Sequence, residues 1–207
     1  MEEERFTIFD HEMKPIGVAA RSEVHKLGYW HETFQCWFVL READEYYIYL
    51  QIRSAGKKDY PSLYDITAAG HLLSHEAVED GVREIKEEIG IDVKFEELKS
   101  LGLMKYTVER EELIDREFAH VFLYESNCEF DDFTLQTEEV AGMLKAKLSD
   151  FYELWANNKA PIEIEGYTLN ESGNKEFFRK SASKQHFVPH DEQYYVDVIE
   201  AICRYLK

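Results

Sequence analysis

The amino-acid sequence predicts an α/β (α+β) fold, in which a β-sheet is combined with packed α-helices. Two stretches rich in aromatic and β-branched residues, 33–40 and 46–52, have the composition of paired strands. Apolar residues recur with helical spacing through 76–89 and again through 191–206. With 44% apolar residues, the chain has enough core-forming side chains for a globular domain.

The N-terminal residues predict a strand, a turn and a short helix before the first of these paired strands. Residues 6–9 alternate in a way typical of a strand. Residues 10–15 form a turn, and Pro15 limits its continuation. A helical turn is predicted at 21–25, just before Gly28. The two strands that follow are then joined near residues 43–45.

The central part of the chain predicts a loop, a short strand and the strongest helix of the sequence. Residues 61–65 form the loop, and 66–68 form a short strand that leads to Gly70. The helix through 76–89 has one apolar stripe, and Gly90 follows it where a C-cap glycine belongs. The stripe consists of Val78, Val82, Ile85 and Ile89.

Two more strands are predicted at 98–108 and 118–125, after which the last third of the chain is predicted to be helical. Ser149 has the side chain of an N-cap residue for a helix through Asn157. Residues 166–173 are predicted to be a loop before the C-terminal helix. We therefore expect one domain over 1–207, in which 148–207 is a helical extension packed on the rest.

The composition limits the binding partners and the cellular compartment to be expected for this protein. The formal net charge of −18 disfavours nonspecific binding to nucleic acid, which depends on neutralising phosphates with Lys and Arg. No apolar run is long enough for a membrane span. Three widely separated cysteines and an acidic N-terminus without a signal-like apolar segment favour the cytoplasm. The sequence does not fix the oligomeric state, and a homodimer is the commonest assembly to consider.

A cluster of carboxylates on the central helix carries the strongest chemical signal. Glu84 lies three residues before Glu87 and four before Glu88, so these side chains share a helix face or flank it. Carboxylate oxygens are hard ligands suited to Mg²⁺, with Mn²⁺ as an alternative. Arg83, four residues before Glu87, can orient a carboxylate by a two-pronged hydrogen bond. A salt-bridged surface helix is the ordinary alternative for such a string.

The residues around this cluster resemble the Nudix box. That box reads Gly, five residues, Glu, seven residues, Arg-Glu, an aliphatic residue, any residue, Glu-Glu, any residue, Gly and an aliphatic residue. The interval between Glu76 and Arg83 is six residues here rather than seven. The matching residues are Gly70, Glu76, Arg83, Glu84, Ile85, Glu87, Glu88, Gly90 and Ile91.

The resemblance implies a Nudix fold, with a mixed β-sheet sandwiched between α-helices. It also implies that Mg²⁺ is held by Glu84, Glu87, Glu88 and a backbone carbonyl near Ala69. A metal-activated water would then attack phosphorus and cleave a diphosphate linkage. The implied substrate is a small-molecule diphosphate, such as a nucleoside diphosphate derivative.

Segments outside the box resemble the isopentenyl-diphosphate isomerase-like branch of Nudix proteins. Examples are Tyr60-Pro61-Ser62-Leu63-Tyr64-Asp65 and Arg21-Ser22-Glu23-Val24-His25. True isomerases carry a catalytic cysteine in a Thr-Cys-Cys-Ser-His segment, but Thr67-Ala68-Ala69-Gly70-His71 has no thiol. A hydrolase is therefore favoured over an isomerase. A ligand sensor that retained the fold without catalysis is a third alternative.

Further residues are candidates for binding substrate or assisting catalysis. Glu117 resembles an additional acidic residue near the metal, acting as a fourth ligand or a general base. Arg53 and Lys57 are candidates to clamp the outer phosphate, although solvated cations are the ordinary alternative. His71, beside the box, is the best histidine candidate. His25 and His31 are the other two histidines that could touch substrate or metal.

Overall fold

One mixed β-sheet of eleven strands organises the residues that the computed structural model describes, 4–110 and 113–207. The strands are β1 Arg5–Phe9, β2 Pro15–Ala20, β3 Trp30–Glu42, β4 Glu45–Arg53, β5 Tyr64–Asp65, β6 Ala68–His71, β7 Lys99–Arg110, β8 Leu113–Ser126, β9 Val140–Lys147, β10 Ile162–Leu169 and β11 Lys175–Ala182. The α-helices are α1 Arg21–Leu27, α2 Arg83–Ile89, α3 Leu148–Ala156 and α4 Glu192–Tyr205.

Strand β3 lies at the centre of the sheet and pairs with four others, β1, β4, β6 and β8. The main strand order is β11-β10-β9-β4-β3-β1-β2. β8 runs parallel to β3, with His31 opposite Glu117, and β7 pairs antiparallel with β8. β6 pairs antiparallel with β3, so that Cys36 lies opposite Ala68. The middle of β3 is buried on both faces, which explains its dense apolar composition.

Helices cover both faces of this sheet, as the predicted fold class requires. On one face, Ile85 and Ile89 of α2 belong to an apolar cluster that includes Phe34. On the other face, α3 and α4 belong to a second cluster that includes Trp37 of β3. In that cluster the rings of Trp155 and Tyr195 stack with centroids 3.8 Å apart. The prediction of a mixed sheet sandwiched between helices is therefore confirmed.

The central helix is shorter than the apolar stripe predicted. The α-helix begins only at Arg83, and Val78–Val82 forms a 3-10 turn before it. Gly81 packs directly on the Phe34 ring, where a Cβ would lie 2.6 Å from the side chain. This close approach keeps 78–82 tight against β3. The predicted cap is confirmed, since Gly90 adopts φ 75° at the C-terminal end.

The C-terminal part of the chain differs most from the prediction. Residues 148–207 are not all helical, because β10 and β11 form a hairpin that extends the sheet from β9. The loop predicted at 166–173 was wrong for 166–169, which belong to β10, and was confirmed for 170–173, which lie in the turn before β11. Gly166 lies inside β10 and lets the strands approach closely, since a Cβ there would lie 2.3 Å from the Met143 carbonyl oxygen. Because this hairpin shares the sheet, we propose that 1–207 form a single domain.

The helix ends follow local chemistry in most cases. Gly28 ends α1 in the left-handed conformation at φ 68°. Asp191 caps α4, and its side chain accepts a hydrogen bond from the Gln193 backbone N–H at 2.9 Å. Ser149 lies inside α3 and does not cap it, because the helix already begins at Leu148. Within the described part of the chain, no helix is long and apolar enough to cross a membrane.

Candidate active site

A single cavity of about 730 Å³ brings together the residues that the sequence singled out. It lies where α1, α2 and the ends of β4, β6 and β8 meet, and residues 188–190 reach it from the C-terminal part of the chain. All nine predicted site residues line it: Arg53, Lys57, Ala69, His71, Arg83, Glu84, Glu87, Glu88 and Glu117. Residues separated by up to 64 positions in sequence thus share one site.

Arg83 holds three carboxylates in a fixed arrangement. Its Nε and Nη2 atoms donate to the two oxygens of Glu76 at 2.6 and 3.0 Å. Its Nη1 atom donates to Glu84 at 2.6 Å and to Glu87 at 3.0 Å. The two-pronged hydrogen bond expected between Arg83 and a carboxylate is therefore made with Glu76. Although only six residues separate Glu76 from Arg83, the two side chains still meet. The 3-10 turn at Val78–Val82 lies between them.

Glu84 is buried against the backbone of β6. A Cβ at Gly70 would lie 2.1 Å from the Glu84 carboxyl group, so only glycine leaves room for this carboxylate. Burial raises the pKa of Glu84 to about 7; the charge of Arg83 opposes this rise and that of Glu87 adds to it. The carboxylate is therefore costly to ionise without a further positive charge nearby.

Glu88 is the most deeply buried of the helical carboxylates. Its Oε2 atom accepts hydrogen bonds from the Ala69 backbone N–H at 3.1 Å and from Gln51 at 3.2 Å. Burial, together with the charge of Glu84, raises the pKa of Glu88 to about 8. Glu87 differs, because 54% of its side chain is exposed. Two of the three predicted carboxylates thus form the wall of the cavity, and the third lies at its mouth.

A second cluster of metal-ligating side chains adjoins the same cavity, which His25, His71, Asp115 and Glu117 line, whereas His31 is fully buried. His25, His31 and His71 each bring one ring nitrogen within 4.8 Å of the others. His31, Asp115 and Glu117 form a second group, whose ligand atoms lie within the same distance of one another. The three histidine rings pack against each other, with centroids 5.1 to 5.4 Å apart. The sequence had named each histidine separately, without a reason to group them. The fold does so by setting β3, β6 and α1 side by side.

The protonation of this second cluster suits a cation. His31 Nδ1 lies 3.1 Å from the Tyr29 carbonyl oxygen, so Nδ1 carries the proton and Nε2 the lone pair. Burial lowers the pKa of His31 to about 4 and also lowers that of His71, which keeps both rings neutral. Burial, with the charge of Glu117, raises the pKa of Asp115 to about 8.

Unpaired buried atoms test whether a divalent cation fits here. Among the described residues, Nε2 of His31, Nε2 of His71 and Oδ1 of Asp115 are buried without a hydrogen-bond partner. The His31 Nε2 atom lies 3.5 Å from this Asp115 oxygen. Buried polar atoms are normally satisfied, so three unpaired atoms in one cluster fit an ion. Imidazole and carboxylate ligands suit Mn²⁺ or Zn²⁺, whereas the carboxylates of α2 suit Mg²⁺.

The two cations predicted to clamp phosphate are already engaged. Arg53 donates from Nη1 to Asp65 at 2.8 Å, and from Nε and Nη2 to the Asp59 carbonyl oxygen at 3.2 and 2.8 Å. It therefore braces the loop over 54–63 and has little capacity left for a bidentate phosphate contact. Lys57, carried by that loop, is paired with Glu139. Its contact with substrate remains a prediction.

Several polar residues of the site were not singled out from the sequence. Thr33 and Gln35 interrupt an otherwise apolar strand at alternate positions, and this spacing could have indicated a shared polar face. Asp115 was also missed, although it alternates in the same way with Glu117, which the sequence had singled out. Asp65 had no such signal, because its partner His190 lies 125 positions away in sequence.

Metal-free protein is expected to lose stability as the pH rises above about 6.5, the ordinary pKa of histidine. Burial raises the pKa values of Glu84 and Glu88 to about 7 and 8, so the folded state keeps protons that the unfolded state has released. Below about pH 6.5, His31 and His71 act in the opposite direction, because the unfolded chain binds more protons there. The melting temperature should therefore fall between about pH 6.5 and pH 8.

Thermal melts in EDTA and in Mg²⁺ or Mn²⁺ across this pH range would measure the effect. Saturating cation should abolish the decline, because the bound ion replaces the protons. A melting temperature that stays constant over this range in EDTA would mean that these carboxylates ionise freely in the folded state.

Comparison with known proteins gives one family over most of the chain. The NUDIX domain matches residues 29–163. An "Uncharacterized Nudix hydrolase" of Clostridium acetobutylicum is 41% identical over 202 residues, which are 98% of this chain and 98% of that protein. An isopentenyl-diphosphate Delta-isomerase of Burkholderia multivorans is 32% identical over 121 residues, 58% of this chain and 65% of that protein. The crystal structure of DR0079 from Deinococcus radiodurans is similar in fold, with a TM-score of 0.57 and 15% identity over 76% of this chain and 91% of that one.

Proposed function

Since the chain belongs to the Nudix hydrolase family, we propose that it hydrolyses a diphosphate bond with the help of a divalent cation. The proposed substrate is a nucleoside diphosphate derivative or a related small molecule, and the proposed cation is Mg²⁺, with Mn²⁺ as an alternative. One observation carries the proposal: Glu84 and Glu88 are buried side by side at the wall of a cavity, with raised pKa values. Such a pair is stable in its ionised form only beside additional positive charge.

The residues of the site divide into ligands and the groups that orient them. Glu84, Glu87 and Glu88, with the backbone carbonyl near Ala69, would hold the cation. A bound divalent cation lowers the pKa of a water ligand and neutralises charge that develops on the diphosphate. Arg83 keeps the carboxylates apart and correctly turned, so that they do not have to reorganise when substrate arrives.

Glu117 is the proposed fourth acidic residue of the reaction. Its Oε2 atom accepts hydrogen bonds from Thr33 at 2.7 Å and from Gln35 at 3.2 Å. Burial raises its pKa, although the hydrogen bonds from Thr33 and Tyr106 oppose this rise. A carboxylate with a raised pKa can take a proton from an attacking water near neutral pH, and the same carboxylate can ligate a cation. Both roles need the fixed orientation that Thr33 and Gln35 provide.

An isomerase is the second candidate function, and the histidine and acid cluster is the observation that favours it. The relative from Burkholderia multivorans is named as an isopentenyl-diphosphate Delta-isomerase, and its similarity supports a related site. Allylic isomerisation needs a positioned acid and base. Ala68 and Ala69 stand where true isomerases carry cysteine, so this chain lacks the thiol of an isomerase at that position. This absence supports the hydrolase over the isomerase.

A substrate screen tests the proposal directly. Purified protein would be incubated with Mg²⁺ or Mn²⁺ and nucleotide sugars, dinucleoside polyphosphates and isopentenyl diphosphate in ¹⁸O-labelled water. We expect cation-dependent cleavage of at least one compound, with the label in a phosphate-bearing product. Proton exchange on isopentenyl diphosphate without phosphate release would identify an isomerase instead. Binding without any turnover would identify a ligand sensor.

A further inference from the structure

The N-terminal part of α4 contacts residues that line the cavity, although α4 lies outside the region that the NUDIX domain matches. That region ends at residue 163, whereas Tyr194 lies on α4. The Tyr194 ring contacts that of Tyr106, with centroids 5.2 Å apart. Its hydroxyl donates a hydrogen bond to Oε1 of Gln35. Tyr194 and Gln35 are 5% and 2% exposed, so water cannot replace this contact.

The Tyr194 hydroxyl fixes which end of the Gln35 amide faces the carboxylate of Glu117. A primary amide presents a carbonyl acceptor on one side and an NH₂ donor on the other. With the amide oxygen turned to Tyr194, the Nε2 atom lies 3.2 Å from Oε2 of Glu117 and 3.4 Å from the Tyr106 hydroxyl. Without the Tyr194 hydroxyl, the buried amide oxygen of Gln35 loses its hydrogen-bond donor, and the amide is held in this orientation only by the contacts of its Nε2 atom.

We propose that Tyr194 is a positioning residue for the reaction, which orients Glu117 through the Gln35 amide. The inference rests on the proposed function, because Glu117 acts in that reaction as a base or a ligand. It adds a residue from the C-terminal extension to the catalytic apparatus. The extension therefore contributes to the rate of turnover, and its role is not limited to covering the sheet.

Tyr195 offers a matched control on the same helix. It is fully buried, and its hydroxyl donates to the Val188 carbonyl oxygen at 2.8 Å. Each tyrosine thus makes one buried hydrogen bond to a neutral carbonyl oxygen, and each tyrosine-to-phenylalanine change removes one hydroxyl. The two variants should lose a similar amount of stability, because each loses one buried hydrogen bond. Tyr195, however, directs its hydroxyl to Val188 and not to Gln35 or Glu117, so of the two variants Tyr194→Phe is the one that disturbs the carboxylate.

The test compares Tyr194→Phe with Tyr195→Phe in the full-length protein, using the best substrate of the screen. Loss of an outer hydrogen bond to a ligand or base commonly costs about 10- to 100-fold. We expect kcat to fall by that amount in Tyr194→Phe, with KM within about twofold, and to stay within about twofold of wild type in Tyr195→Phe. In a Gln35→Met background, Tyr194→Phe should have almost no further effect on kcat, because the amide that it orients is gone.

Equal kcat values in the two tyrosine variants would overturn the inference, as would an undiminished effect of Tyr194→Phe in the Gln35→Met background. If wild-type protein cleaves no substrate, the proposed function fails, and the positioning role is then judged from cation binding alone. Calorimetric titration with Mn²⁺ should show about tenfold weaker binding to Tyr194→Phe than to Tyr195→Phe. Equal affinities in that case would reject the positioning role as well.

Discussion

Replacing Glu88 with glutamine is expected to lower kcat by about 10³-fold or more, because a cation ligand contributes several kcal/mol to the stabilisation of developing charge. The amide keeps the shape of the side chain and can still accept the hydrogen bond from the Ala69 backbone N–H. Burial raises the pKa of Glu88 to about 8, so the neutral amide resembles the protonated acid of the metal-free protein. The fold should therefore survive this change.

Steady-state kinetics measure the expected fall in kcat of Glu88→Gln, and thermal melts in EDTA measure whether its fold survives. Glu79→Gln is the control, because Glu79 lies exposed on the 3-10 turn and does not line the cavity. We expect wild-type kcat for that variant. The Glu88→Gln melting temperature should match wild type or exceed it at pH 8, where the ionised acid is costly. Activity close to wild type in Glu88→Gln would remove this residue from the cation site.

Replacing Arg83 with leucine should affect stability and activity together. The change leaves Glu76 and Glu84 without the cation that pairs with them, and both side chains are largely buried, at 9% and 13% exposed. Breaking a buried ion pair costs about 3–5 kcal/mol. Since 29% of the Arg83 side chain is exposed, we expect the low end of that range, about 3 kcal/mol. The melting temperature should fall by roughly 6–12 °C.

The control for this change is Arg204→Leu on α4. Arg204 pairs with Glu200 at 3.7 Å, and both side chains are exposed, so its loss should cost less than about 1 kcal/mol. Arg83→Lys separates charge from geometry, because lysine keeps the charge but cannot form the two-pronged contact with Glu76. We expect it to retain most of the stability and to lose most of the activity. Equal melting temperatures for Arg83→Leu and Arg204→Leu would show that the Arg83 network is not needed for folding.

The parts of the site that lie close together in sequence could be predicted from it. The spacing of Glu84, Glu87 and Glu88 indicated a shared face on a helix, and Gly70 and Glu76 matched the first part of the Nudix box. Both features depend on interactions over fewer than twenty residues. The fold class was predictable for the same reason, since strands and helices leave periodic patterns in the local sequence.

The parts that depend on strand order could not be predicted in this way. His31 faces Glu117 because β3 and β8 pair in parallel, and no local pattern fixes that register. The Arg53 interaction with Asp65 required knowledge of the loop between them, whose path is not periodic. The hairpin of β10 and β11 was missed because Gly166 and Gly173 resemble loop residues. Gly166 instead lies inside β10, where the absence of a side chain lets β10 pack closely against β9.

The most direct test of the cation site is the position of the ion itself. A crystal of the protein with Mn²⁺ and a methylene-bridged diphosphate analogue would be measured at a wavelength where manganese scatters anomalously. We predict an anomalous peak within coordination distance of the Glu84 and Glu88 carboxylates, shared with oxygens of the analogue. A peak confined to the histidine cluster, or none near α2 despite bound analogue, would contradict the assignment of these carboxylates.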